Sequence, residues 1–285
     1  MSFLKKIFHS TIKYGIEIKP DMKRLLTSEI KNNGIMKINN FLNENEIFKI
    51  SQIIKYYSAP KNTPNSYFPV NYKSCILKIL KFKFINFFHS YELLKLNKNK
   101  ELNILANNFF ENKSKLSYID AYYSKKSKQD VLPWHTDQAY AGKRDVLVFN
   151  HPDKFFLKIF IYLTDVDPDS GCMSYLPSSH KIGYAIRKAI FEKHIDYQPY
   201  WSLRDFKKIV LNNRKYFENY FKTSEVIENF FKQTEIIERD TNKKEFGYSA
   251  KAGSAIIFDE GGIHKGSRPQ KTDRMVLRYL YSKLN

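Results

Sequence analysis

The chain has 285 residues and is 42% hydrophobic, 16% aromatic and 27% charged, which supports a folded core and excludes a disordered or fibrous chain. Its two cysteines exclude a disulfide framework and a cysteine-based zinc site. No run of about 18 uncharged apolar residues is present, so the sequence predicts no membrane-spanning helix. Charged residues also interrupt the apolar centre that a signal peptide needs. These features predict a soluble, cytoplasmic protein.

The formal net charge is +19, and it comes mainly from lysine, because only nine of the 48 basic residues are arginine. Specific recognition of phosphates and bases relies on the arginine fork. The chain is also rich in Asn, Ile, Phe and Tyr, which favours a compositional origin of the charge and argues against a nucleic-acid partner. An anionic substrate, a membrane surface and nucleic acid stay open as alternative explanations.

The N-terminal part, residues 1–115, has a mostly helical pattern. Residues 1–16 place apolar side chains on one helical face with lysines between them, which allows peripheral contact with an anionic membrane. Docking of this helix on the protein's own domain is the favoured interpretation. Asn43 is predicted to cap a helix that has isoleucines on one face, and a further helix is predicted at 102–109.

From about residue 116 the pattern changes to strands. Strands are predicted at LSYIDAYYS (116–124), FFLKIFIYL (155–163), GSAIIFDE (253–260) and DRMVLRYLYS (273–282). Residues 184–246 interrupt them with a charged, aromatic, helical insertion. No linker rich in Pro, Gly or Ser is present, so residues 1–285 are predicted to form a single domain. Its expected fold class is mainly β with flanking α-helices.

The segment PWHTDQAY (133–140) carries the most informative spacing. His135 and Asp137 are separated by one residue, so on a strand both side chains leave the same face. A second imidazole is available from His264, in GGIHKGSRP, where the flanking glycines allow a close approach. Two histidines and one carboxylate leave three coordination positions open, which is the arrangement of non-haem Fe(II) oxygenases.

Arg274 follows His264 by ten residues, so a hairpin could bring its guanidinium to the open side of the metal. A co-substrate that chelates the metal and carries a second carboxylate needs such a bidentate partner. Arg278 has the same strand parity as Arg274, so both side chains would point into the barrel. Burying two guanidinium groups there costs free energy unless each of them is paired with an anion. The sequence leaves open whether one of them forms an internal ion pair, and it favours Arg274 as the residue that binds the co-substrate.

Three segments, WHTD, KIFIYLTDVDPDSGCMSYLPSSHK and GSAIIFDEGGIHKGSRPQKTDRMVLRYLYS, resemble the phytanoyl-CoA dioxygenase (PhyH) family of Fe(II)/2-oxoglutarate-dependent oxygenases. The resemblance covers about residues 116–182 and 250–282. It implies a double-stranded β-helix, a cupin-like jelly roll. It also implies that iron is bound by His135, Asp137 and His264, that Arg274 holds the distal carboxylate of 2-oxoglutarate, and that Phe160 lines the co-substrate pocket.

The implied activity is that of a dioxygenase that uses O2 to hydroxylate a small-molecule substrate. Related halogenases replace the metal carboxylate with a small residue, so the presence of Asp137 favours hydroxylation. The insertion at 184–246 lengthens the spacing between Asp137 and His264 and is expected to cover the active site. Pro-Ser-Ser-His at 177–180 departs from the usual Pro-Gly-Ser-His of the family.

The substrate itself is not defined by the sequence. The basic surface and the insertion favour a small, anionic metabolite. Two alternatives remain: a dioxygenase that acts on nucleic acid, and a non-catalytic jelly-roll protein that binds a ligand.

Overall fold

The structure is a computed structural model that describes residues 28–58, 65–70, 84–137, 156–196, 202–240 and 244–284. The helix predicted for residues 1–16 lies outside these ranges. Within them, no helix combines the length and the apolar character that are needed to cross a bilayer.

Strands and helices alternate along the described ranges, beginning with helical residues 28–33. The strands are β1 (Ile35–Ile38), β2 (Asn65–Val70), β3 (Ser114–Ser124), β4 (Leu132–His135), β5 (Phe156–Tyr162), β6 (Met173–Tyr175), β7 (Gly247–Tyr248), β8 (Ala255–Asp259), β9 (His264–Gly266) and β10 (Arg274–Lys283). The helices are α1 (Glu44–Ser58), α2 (Phe84–Asn99), α3 (Leu102–Phe110), α4 (Ser179–Phe191), α5 (Leu203–Asn212), α6 (Arg214–Phe221) and α7 (Glu225–Arg239).

The strands form two antiparallel sheets that face each other. The major sheet has the order β1-β8-β5-β10-β3-β2, and the minor sheet has the order β4-β9-β6-β7. Buried side chains from both sheets fill the space between them, including Tyr162, Phe258 and Val276 of the major sheet and Met173 and Tyr175 of the minor sheet. This shared core makes the two sheets the walls of one barrel.

Helices cover the outer faces of the barrel. Apolar residues of α1, α2 and α3 pack on the outward side chains of the major sheet, among them Ile159, Leu277 and Tyr279. A second cluster joins α4, α5, α6 and α7 to Trp134 of β4 and to Ile263 beside the minor sheet. Alternation along each strand therefore sends one set of side chains to the helices and the other into the barrel.

The predicted strands are found as β3, β5, β8 and β10, with ends that differ by one or two residues. Asn43 caps α1 as predicted: its Oδ1 accepts the Glu46 N–H at 3.0 Å, and its own N–H donates to Glu46 Oε2 at 2.8 Å. The insertion at 184–246 contains α5, α6 and α7 and most of α4. The sequence did not predict β1 and β2, which form the two edges of the major sheet.

Candidate metal centre

The pairing of β4 with β9 places the two predicted histidine ligands side by side. His135 and His264 are direct partners in this antiparallel pair, so their side chains leave the same face of the minor sheet. Their ring centroids are 4.5 Å apart, and both residues are buried. Asp137 lies two residues beyond His135, just after β4 ends.

The donor atoms of these three residues converge. Asp137 Oδ2 is 3.0 Å from His264 Nε2, and Asp137 Oδ1 is 3.7 Å from His135 Nε2. Each residue offers one ligand atom, and these three atoms all lie within 4.8 Å of one another. Two imidazole nitrogens and one carboxylate oxygen are the donor set that non-haem Fe(II) oxygenases use. The donor chemistry therefore fits a divalent iron.

Each imidazole is oriented through its other ring nitrogen. His135 Nδ1 donates to the Pro133 carbonyl at 2.6 Å, and His264 Nδ1 donates to the Gly262 carbonyl at 2.9 Å. These bonds leave Nε2 of both rings as the acceptor directed at the common point, as is usual for metal-binding histidines.

Aromatic side chains hold the His264 ring in place. Tyr175 stacks on it with centroids 6.4 Å apart and an interplanar angle of 19°, and Phe258 lies 5.2 Å away. A Cβ added at Gly262 would lie 1.8 Å from the Tyr175 hydroxyl oxygen. A glycine is therefore required at position 262, two residues before His264, because Tyr175 occupies the space that a side chain would need.

Lys158 and Glu260 also belong to this site, although the sequence did not assign them a role. Lys158 projects from the inner face of β5, hydrogen-bonds to Asp137 Oδ2 and lies 3.3 Å from Glu260 Oε2. Burial acts to raise the pKa of Asp137, but the charge of the neighbouring Lys158 ammonium outweighs it and holds that pKa well below its ordinary value. Asp137 is therefore ionised and able to bind a cation.

Burial lowers the pKa of His264, although the Asp137 charge opposes this effect. The neutral imidazole that results is the form that binds a metal.

The two inward arginines of β10 have different partners. Arg278 donates from Nε to Asp120 Oδ1 at 2.7 Å and from its terminal nitrogen to Asp120 Oδ2, and its guanidinium lies 5.1 Å from the centre of the Tyr122 ring. Arg278 therefore forms the internal ion pair that the sequence left open.

Arg274 is buried and meets neutral groups. It donates to the Gly171 carbonyl at 2.9 Å and to Ser124 Oγ at 3.4 Å, and its Nε has no hydrogen-bond partner within the described ranges. Burial lowers its pKa, because the charged form loses water, while the neighbouring Tyr162 and Tyr122 act in the opposite direction. A buried guanidinium with an unused donor fits an incoming carboxylate.

Phe160 lies on the inner face of β5, two residues from Lys158 in one direction and two from Tyr162 in the other. Its ring meets Phe258 edge to face, with centroids 5.0 Å apart and an angle of 83°. The structure thus places this residue in the barrel interior, between the end that holds Lys158 and the end that holds Tyr162.

The model of the phytanoyl-CoA dioxygenase (PhyH) family matches residues 82–275. The chain belongs to this family. Membership confirms the predicted enzyme class, an Fe(II)- and 2-oxoglutarate-dependent dioxygenase, and with it the predicted iron and 2-oxoglutarate.

Solved structures share the fold of this PhyH-family chain. HygX from Streptomyces hygroscopicus, solved with nickel and 2-oxoglutarate, is 12% identical, with a TM-score of 0.55 over 91% of this chain and 87% of HygX. The epimerase SnoN, in complex with Fe3+, alpha ketoglutarate and nogalamycin RO, is 12% identical, with a TM-score of 0.53 over 93% and 85%.

EvdO2 from Micromonospora carbonacea var. aurantiaca, complexed with 2-oxoglutarate, is 14% identical, with a TM-score of 0.51 over 90% and 89% of the two chains. A search of curated proteins found no match. The structural likeness confirms the predicted jelly-roll fold with flanking helices.

Proposed function

We propose that this PhyH-family protein oxidises a C–H bond of a small metabolite, with hydroxylation as the expected outcome, at a centre formed by His135, Asp137 and His264. The observation that carries the proposal is that the donor atoms of these three residues lie within 4.8 Å of one another, although Asp137 and His264 are 127 residues apart in the sequence. When bound, iron and 2-oxoglutarate together supply the activation of O2 that such an oxidation needs.

The residues around the centre bind the co-substrate, line its pocket and exclude water. Arg274 binds the distal carboxylate of 2-oxoglutarate, which its unused Nε and the lack of an acidic neighbour in the described ranges support. Phe160 lines the pocket between that carboxylate and the metal. Tyr175 and Phe258 exclude water from the side of the site that holds His264.

The rest of the chain surrounds this centre as one oxygenase domain. Within the N-terminal part, 1–115, the described helices α1 to α3 pack on the barrel, which their contacts with the major sheet support. The insertion at 184–246 covers the site. The cluster that joins α4 to α7 with Trp134 and Ile263 supports this, because these two residues directly precede His135 and His264 in the chain.

The substrate is a small organic molecule, and the net charge of +19 favours an anionic one. The solved neighbours support the size class, since SnoN was solved with nogalamycin RO and HygX with hygromycin B. One of these neighbours is described as an epimerase, so the product has to be identified directly by mass and by nuclear magnetic resonance.

The test is anaerobic titration of Fe(II) and 2-oxoglutarate, followed by the visible charge-transfer band of the complex. The wild type should develop the band, and His135→Ala, Asp137→Ala and Arg274→Ala should lose it at the same concentrations. His194→Ala is the matched control, because that histidine is exposed and distant in sequence from the three ligands. A band of wild-type strength in all three site variants, or substrate-stimulated succinate release by all three, would refute the proposal.

A further inference from the structure

Lys158 is a buried ammonium that has two carboxylate partners. Its side chain is 4% exposed, and it reaches both Asp137 and Glu260. Only Asp137 belongs to the proposed ligand set. Glu260 is equally buried, and its backbone N–H donates to the Phe156 carbonyl at 3.2 Å, which fixes it beside the strand that carries Lys158. A buried charge of this kind persists only when it is paired.

Metal binding should affect the two carboxylate partners of Lys158 differently. In the proposed centre the Asp137 carboxylate coordinates the metal, and Glu260 then remains as the ion-pair partner of Lys158. The Lys158–Glu260 pair has no net charge, so the cation does not meet an uncompensated ammonium at the edge of its site. Without Glu260, the same ammonium would compete with the metal for Asp137 and repel it.

Resting on the function proposed above, we propose that Lys158 and Glu260 are a charge-setting pair for the metal centre. The glutamate keeps the site able to bind a divalent cation, and the lysine keeps it able to bind the dianion 2-oxoglutarate. Neither residue contacts the metal; both act through the charge that they place beside Asp137. The cation and the dianion should therefore respond in opposite directions to each substitution.

The experiment measures Mn(II) affinity by the electron paramagnetic resonance signal of the free ion, and 2-oxoglutarate affinity of the Mn(II)-loaded protein by calorimetry. Glu260→Gln should weaken Mn(II) binding by at least about tenfold and strengthen 2-oxoglutarate binding. Lys158→Met should do the opposite. The double variant removes both charges and should return both affinities to within about threefold of the wild type.

Two further variants serve as controls. Lys158→Arg keeps the charge and should keep both affinities. Glu238→Gln removes the acid of an exposed Lys–Glu pair, with Lys207 Nζ 2.8 Å from Glu238 Oε1, and should change neither affinity. If Glu260→Gln does not fold, Lys158→Met still tests the opposite sign, and circular dichroism identifies which variants are folded.

The inference would be overturned if Glu260→Gln and Lys158→Met changed the Mn(II) affinity in the same direction, or if both variants changed both affinities by less than about threefold. In either case, binding of Mn(II) and 2-oxoglutarate by the wild type would still support the proposed function. A wild type that binds neither Mn(II) nor 2-oxoglutarate would overturn the proposed function, and the inference with it.

Discussion

Arg274 and Arg278 lie four residues apart on one face of β10, and their surroundings give them different roles. Arg278 forms a two-point ion pair with the fully buried Asp120, whereas Arg274 meets a carbonyl and a hydroxyl. Sequence parity predicted that both would point inward. It could not assign the ion pair, because Asp120 comes from β3, more than 150 residues earlier in the chain.

This difference predicts opposite effects on stability. Arg278→Gln leaves a buried carboxylate without its cation and should lower the free energy of unfolding by about 3–5 kcal/mol. Arg274→Gln removes a buried charge that has no acidic partner in the described ranges, so the free energy of unfolding should stay unchanged or rise. Urea unfolding of the protein without ligands measures both, and equal losses in the two variants would contradict the assignment.

Asp259 gives the protein a pH dependence. Burial raises its pKa to about 6, although hydrogen bonds from Tyr184 and the Gly261 N–H, and the charge of Arg187, act to lower it. The folded form thus binds a proton that the unfolded form, with a pKa of 3.8, has lost. From this group alone, stability is greatest at and below about pH 4, falls as the pH rises from 4 to 6, and is then constant.

The total change is about 3 kcal/mol. Asp259→Asn should remove it, so the difference in unfolding free energy between variant and wild type should depend on pH between 4 and 6. His180 contributes the opposite slope, since burial lowers its pKa to about 4 and its stabilisation is lost as the pH falls below 6.5. Subtracting the unfolding free energy of the wild type from that of Asp259→Asn removes the contribution of His180. A difference that does not change with pH would refute the raised pKa of Asp259.

At the scale of elements, α4 lies in backbone contact with the segment that leads into β9. A Cβ added at Gly183 would lie 1.9 Å from the Gly261 carbonyl oxygen. The same helix provides Tyr184, whose hydroxyl donates to Asp259, and Ser179, which accepts the Ile263 N–H. The orientation of His264 therefore depends on how closely α4 can approach.

Gly183→Ala should push α4 away from this segment, lower the free energy of unfolding by about 1–3 kcal/mol, and weaken Mn(II) binding. Gly247→Ala is the control: its added Cβ meets Cys172 Sγ and the Lys244 carbonyl at 3.1 Å, and none of its nearest contacts involves α4 or Gly261. Urea unfolding and Mn(II) titration measure both effects. Unchanged Mn(II) affinity in a destabilised Gly183→Ala would show that α4 does not orient the ligand.

The main strands and the candidate ligand residues His135 and Asp137 could be located from the sequence, because alternation and the His-x-Asp spacing are local patterns. Lys158 was visible as the charged residue within FFLKIFIYL, at the same parity as Phe160, but its partner Glu260 comes from the turn after β8, about 100 residues later in the chain. β1 was not predicted, because its pairing, such as Ile35 with Phe258, joins residues that are far apart in the chain.

At the scale of the whole molecule, the family and the barrel were predictable because three sequence segments carry both the candidate metal ligands and the core strands. The flanking helices followed only in part, since helical patterns mark the N-terminal part and the insertion, but β1 and β2 lie among the N-terminal helices. The sequence could not predict which sheet faces each helical block, because that depends on the twist and closure of the sheets.

The helices α4 to α7 connect β6 with β7, and these two strands are hydrogen-bonded neighbours in the minor sheet. The insertion therefore leaves and re-enters the barrel at one edge, like an enlarged hairpin turn. Chain length added or removed within it leaves the register of β4 with β9 unaltered. The pairing of β4 with β9 therefore does not constrain the length of α5 to α7, so this part of the connection can change in sequence while the candidate metal centre stays in place.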